Sequence, residues 1–215
     1  MLASEFRRDG ARPFVTWYDD ATGARVELSI ATTANWAAKI ANYLVDEHGM
    51  EPGDRVGLDP RLHWITAVLL LGAWTAGAHV DVAAPPTVEI GYDAMGVELS
   101  RLVAVQPDQL VMPVVVSDEP ALTVAGRTWS HTALADAAHD AATHHEVDAT
   151  SRVLSTVPFD TTLGLDAGLL MPLAAGGSVV LVSNEDENRF IERLTSERVT
   201  HVVRDGQLAR VRIAT

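Results

Sequence analysis

Apolar and polar residues alternate through "FVTWYDDATGARVELSI", residues 14–30, on either side of the turn-rich "DDATG". That pattern predicts a β-hairpin. Trp36, Ile40, Tyr43 and Leu44 then recur at helical spacing, with Thr32 or Thr33 as the expected cap and Gly49 as the stop. "RVGLD" reads as a short strand after the turn "EPGD". An apolar helix over about residues 62–76 follows, closed by Gly77, and "HVDVA" is the next strand. A strand–helix–strand unit of this kind predicts parallel strands. "ELSRLVAV" and "LVMPVVVS" supply further strand-like runs. "ALTVAGRTWSHTALADAA", residues 121–138, reads as a strand, a turn and a helix capped by Thr128 or Ser130.

The second half of the chain echoes the first. "DRVGLDPRLHWITAVLLLGAWTAGAHVDV", residues 54–82, can be laid on "SRVLSTVPFDTTLGLDAGLLMPLAAGGSVVLV", residues 151–182. Arg-Val opens each, Pro follows the strand, an apolar helix comes next, and a Gly-bearing turn precedes the closing strand. Upstream, "PFVTWYDDATGARVELS" has a shorter echo in "PALTVAGRTWSH". One architecture used twice is the expectation. The fold class expected is α/β: two similar halves, about residues 13–106 and 111–215, with mainly parallel sheets flanked by helices. They form a single domain behind a flexible N-terminus of residues 1–12. Two such halves direct their strand ends at a crevice suited to a ligand.

Composition narrows the partners. Sixteen basic against 29 acidic residues give a net charge of −13, which repels nucleic acid and anionic membrane. No cysteine is present, so disulfides and thiolate metal sites are excluded. "WITAVLLLGAWTAGA" is too short to span a bilayer and is broken by Gly72 and Gly77, so the expectation is a buried helix in a cytoplasmic protein. Lys39 is the only lysine, beside 15 arginines, so any mechanism that needs a lysine has one candidate. Trp17, Trp36, Trp64, Trp74 and Trp129 lie mostly in periodic elements and are expected in cores.

The order of these stretches resembles the N-terminal part of the AMP-dependent synthetases, the adenylate-forming superfamily of acyl-CoA synthetases, luciferases and peptide-synthetase adenylation domains. "GDRV", an apolar helix and "AGA" come in the family's order, as do "PFDTTLG", "MPLAAGG" and "ERVTHVV". The resemblance implies ATP-dependent activation of a carboxylate in the full-length enzymes, which are more than twice as long. It also implies a phosphate loop rich in Ser, Thr and Gly, ending in Pro-Lys-Gly and followed by Thr-His at a helix start. Counting back from Ser130 and His131 puts Gly126 on the final glycine and Ala125 on the lysine, with Glu119, Pro120, Ala121 and Leu122 on the hydroxylic run. A phosphate cradle needs successive backbone N–H groups and a cation. Pro120 has no N–H, Glu119 has the wrong sign, and Arg127 is a planar fork where a point charge belongs.

The resemblance places the candidate ligand-binding positions at Gly126, Arg127, Thr128 and His131, and at Pro158, Thr161 and Gly164, with Thr161 where the family has His. The family's Tyr-Gly-x-Thr-Glu segment, ribose-binding Asp and catalytic lysine fall beyond Thr215. The expectation is a degenerate, truncated homologue serving as a small-molecule-binding or regulatory module. No catalytic residue or cofactor is expected, with ATP, AMP or Mg²⁺ only if the degenerate site retains binding. A homodimeric interaction protein without ligand and an enzyme fragment completed by a partner chain are the alternatives.

Two further groupings of reactive side chains read as solvated surface. "HDAATHHEVD" gathers His139, His144, His145 and Asp148, ligand types that suit Zn²⁺ but lack the "HExxH" order. Ser151, Ser155 and Asp160 lie near one another without a "GxSxG" elbow, which argues against a hydrolase. "HTALADAAHDAA" and "FIERLTSERVT" read as amphipathic surface helices, and the acidic "NEDEN" as a solvated loop.

Overall fold

The computed structural model describes residues 9–85, 103–109 and 118–211. The predicted hairpin is β1 (Pro13–Asp19) and β2 (Ala24–Ser29), paired antiparallel. Helix α1 (Ile30–His48) starts directly at the end of β2. Its first N–H, from Ile30, donates to the carbonyl of Arg12 at 2.9 Å, so the expected Thr32 or Thr33 cap is replaced, and Thr33 is buried within the helix. Then come β3 (Arg55–Gly57), α2 (Trp64–Thr75) and β4 (His79–Asp81), the two strands parallel as expected. From Leu62 through Ala73 every residue is buried. A helix apolar on all sides requires such an environment.

The second repeat runs through β5 (Pro120–Val124), β6 (Arg127–Ser130), α3 (His131–His144) and β7 (Arg152–Ser155). After β7 come α4 (Thr162–Leu165), a π-helical turn (Asp166–Leu170), α5 (Met171–Ala175) and β8 (Ser178–Ser183). The chain ends in α6 (Glu187–Ser196), β9 (His201–Arg204) and β10 (Gln207–Arg210). The "LVMPVVVS" run, residues 110–117, lies wholly outside the described residues, and only residues 103–105 of "ELSRLVAV" are described, helical at Val103 and then turning.

Among the described residues there are two sheets, ordered β10-β9-β7-β8-β1-β2 and β3-β4-β5-β6. Four strands of each match in order and sense. In one, β7, β8 and β1 are parallel and β2 turns back; in the other, β3, β4 and β5 are parallel and β6 turns back. Each hairpin therefore completes the sheet of the other repeat. The likeness extends to single bonds. Both hairpins are irregular just after their first proline, Pro13 and Pro120. The N–H of His131 donates to Glu119 at 3.1 Å as that of Ile30 does to Arg12. Asp54 Oδ2 accepts from Glu51 N, and Ser151 Oγ from Asp148 N, both at 2.9 Å. The internal duplication is thus built into the fold.

The chain divides into two compact units: residues 1–30, 61–64 and 135–215, and residues 31–60 and 65–134. Each draws on both sequence halves. In the first, Val15, Val153 and Val179 are fully buried, and Arg193 clamps Asp20 with two nitrogens, at 2.6 and 2.9 Å. The "NEDEN" segment is engaged there as well: Asn184 bonds Asp19, Glu185 pairs with Arg204, and Asp186 caps α6 by accepting from Asn188 N. In the second, Val56, Val80, Leu122 and Val124 form the apolar side of the sheet. Trp17 and Trp64 are core residues, whereas Trp36, Trp74 and Trp129 are half-buried.

Candidate functional site

Strand β5 crosses the position that counting back assigned to a phosphate loop. Pro120, Ala121 and Leu122 are strand residues, with Ala121 and Leu122 buried. The expected strand–turn–helix is instead a hairpin followed by a helix. Ala125 and Gly126 alone connect β5 to β6, with φ of 49° and 75°, and Val124 pairs with Arg127 across the turn. Two successive left-handed residues make the tightest common hairpin connection. Both residues serve to reverse the chain. Arg127, the candidate replacement cation, lies over the Trp129 ring at 3.6 Å. Ser130 caps α3 by accepting from Ala133 N at 3.2 Å, the role expected of it.

On the other side of the same sheet a polar row crosses all four strands. Strand register places Arg55 beside His79, Asp81 beside Thr123, and Thr123 beside Thr128. His79 Nε2 and Thr128 Oγ1 each lie 2.8 Å from Thr123 Oγ1, and Arg55 pairs with Asp81. Burial pushes the pKa of His79 down, which the Asp81 charge opposes and Arg55 reinforces. Burial pulls Asp81 up, but the Ala83 N–H and Arg55 outweigh it and hold the carboxyl below its ordinary range. Half-buried His131, also lowered by burial, lies at the start of α3 within electrostatic reach of His79 and Glu119. The structure therefore brings two of the candidate residues, Thr128 and His131, into the neighbourhood of His79. An imidazole joined to two hydroxyls in this way is suited to binding a polar ligand by hydrogen bonds.

Pro158, Thr161 and Gly164 belong to the other compact unit, and there they meet one another. Thr161 is the N-cap of α4, its Oγ1 accepting from Gly164 N at 3.0 Å. A Cβ at position 164 would lie 1.8 Å from the Pro158 carbonyl oxygen, so glycine is what lets the loop close onto the helix. The next turn widens to π geometry, and Asp166 lies in it without a side-chain hydrogen bond or ion pair to any described residue. Burial pushes its carboxyl up to about 6. Sequence reasoning missed Asp166; the signal was a single acid inside the apolar run "LGLDAGLLMPL". Shifted carboxyls and π-helical turns are both enriched at functional sites.

The His-rich segment is occupied otherwise. His139 Nδ1 lies 2.9 Å from the Ala135 carbonyl, and the His144 and His145 rings meet edge to face. Asp148 accepts from Thr150 and Ser151. Among the described residues no group of three or more His, Cys, Asp or Glu is arranged to hold a metal ion. No helix of the described residues is long and apolar enough to cross a membrane.

No protein-family model matches the chain. A Mycobacterium tuberculosis protein described as a "TIGR03089 family protein" is 36% identical over 239 residues, covering 94% of this chain and 96% of that protein. The chain belongs to the TIGR03089 family. Among solved structures, MatB from Rhodopseudomonas palustris superposes on this TIGR03089 protein with a TM-score of 0.76 at 18% identity, over 94% of this chain and 48% of MatB. The Brucella canis acyl-CoA synthetase gives 0.72 at 15% identity, over 94% and 46% of the two chains. A fatty acyl-adenylate ligase from L. pneumophila, solved with acyl adenylate and pyrophosphate, gives 0.69 at 16%, over 94% and 43%. The TIGR03089 protein thus has the α/β fold of the N-terminal part of adenylate-forming enzymes, as its sequence resemblance implied, and spans about half their length.

Proposed function

We propose that this TIGR03089 protein is a small-molecule-binding or regulatory module built on the adenylate-forming fold, and that it does not itself activate carboxylates with ATP. The observation that carries the reading is the two-residue Ala125–Gly126 turn at the phosphate-loop position. A loop this short supplies neither the N–H cradle nor a lysine for a triphosphate. The polar row of Arg55, His79, Thr123 and Thr128 supports retained binding of a polar ligand. No bound cofactor is part of this reading.

ATP–pyrophosphate exchange across a panel of carboxylic acids tests it directly. The purified chain is expected to give no exchange above a no-enzyme control; robust exchange by the chain alone overturns the proposal. Thermal-shift measurements with ATP, AMP and Mg²⁺ run alongside, and no nucleotide-dependent stabilisation is expected. Exchange that appears only on adding a second protein would instead support an enzyme completed by a partner.

A further inference from the structure

Thr32, Asn35, Trp36 and Lys39 occupy positions i, i+3, i+4 and i+7 of α1 and so form one stripe along the helix. With Val103 and Ala104 they line a concavity of about 230 Å³. All six residues belong to the same compact unit. Val103 is buried, Trp36 and Lys39 are half-buried, and Thr32, Asn35 and Ala104 form the exposed rim. No acid is among the described residues that line it. Lys39 Nζ donates to the Gln106 carbonyl at 2.6 Å, which engages one of its three protons. Asn35 makes no side-chain hydrogen bond to any described residue. An apolar hollow with a cation and an amide at its wall has the composition of a small-ligand site. The charge is the more telling because this chain is acidic overall and Lys39 is its only lysine.

We propose that this hollow binds a small, single-ring aromatic carboxylate, with the ring against Trp36 and Val103 and the carboxylate on Lys39. Size sets the limit to one ring, the apolar wall selects an aromatic or compact apolar body, and Lys39 selects the anion. None of its described lining residues belongs to the phosphate-loop position, so the proposal stands independently of the function proposed above.

Ligand-observed ¹⁹F NMR on the unmodified protein tests the proposal, with 4-fluorophenylacetate as probe and the neutral 4-fluorophenylacetamide as comparator. Wild type should bind the acid saturably and about tenfold more tightly than the amide, the scale of one charge-assisted hydrogen bond. Lys39→Met, checked for folding by its melt because it also loses the bond to the Gln106 carbonyl, should abolish that preference while leaving amide binding near wild type. Trp36→Leu, checked for folding by its melt, should weaken both ligands. Equal affinity for acid and amide in wild type, acid binding unchanged in Lys39→Met, or no saturable broadening at millimolar ligand would each overturn it.

Discussion

The carbonyl oxygen of Pro158 fills the space that any side chain at Gly164 would need, 1.8 Å from the position of a Cβ. The obstacle is backbone, so a side-chain rotation cannot relieve it. Gly164→Ala should therefore destabilise the protein by about 1–3 kcal/mol, the range for overpacking a filled site. Urea denaturation at neutral pH measures this, and an unchanged midpoint would show that the loop after β7 yields freely.

Asp20 and Arg193 form a two-point ion pair with side chains only 2% and 7% exposed, and the guanidinium also lies over Tyr18 at 4.4 Å. Removing Arg193 leaves the buried Asp20 with only the Asp186 N–H at 2.9 Å and the more exposed Arg189 at 3.8 Å. Arg193→Met is expected to cost about 3–5 kcal/mol. The double variant Asp20→Asn with Arg193→Met should recover part of that loss, and a double-mutant cycle reads the coupling.

Two buried groups bias stability in opposite directions with pH. Asp166 has a folded pKa of about 6 against an ordinary 3.8, so its contribution is fully present below 3.8 and is lost as pH rises through about 6. Asp166→Asn should remove that decline and stabilise the protein at pH 8 by up to about 3 kcal/mol, at about 1.4 kcal/mol per pH unit of displacement. His201, almost wholly buried on β9, has its pKa lowered by that burial, with Arg210 adding to the effect. Its contribution is present above the ordinary histidine pKa of 6.5 and is lost as pH falls below it. Melting temperature against pH for wild type and Asp166→Asn separates the two: the variant should keep the loss on acidification below the histidine range and lose the decline that sets in as pH rises from 3.8 through about 6.

At the turn between β5 and β6, Ala125 holds a φ of 49° that alanine adopts at a cost, ahead of Gly126. Ala125→Asn gives the Asn-Gly pair that such turns favour and should stabilise by about 0.5–1 kcal/mol. Gly126→Ala, at φ 75°, should destabilise by about 1 kcal/mol. A reversal of these signs in chemical denaturation would mean that the turn is not of this tight left-handed kind.

What the sequence made legible was local. The hairpin of residues 14–30, the parallel β3 and β4, and the repeated order of elements all follow from alternation, periodicity and turn residues. The Ser130 cap was legible for the same reason. The start of α1 at Ile30 was not, because the partner of its first N–H is Arg12, across the hairpin. The turn at Ala125 and Gly126 was legible, but the strand after it was not, because "RTWS" is too short and polar to announce one. His79, Thr123 and Thr128 come from three strands and meet only through register. Asp166 is invisible to pattern, since burial alone gives it its chemistry.

The pairing of β1 with β8 and of β4 with β5 has a consequence for how the chain folds. Neither repeat owns a finished sheet; each must hand its hairpin across. A single copy of the repeat would be left with a bare strand edge and a loose hairpin, the two halves of a domain-swapped dimer. Fused in one chain, the exchange ties the two sheets into one cooperative event, and calorimetry should show one unfolding transition. Two separable transitions would sever that link, and with it the view of this protein as a swap closed upon itself.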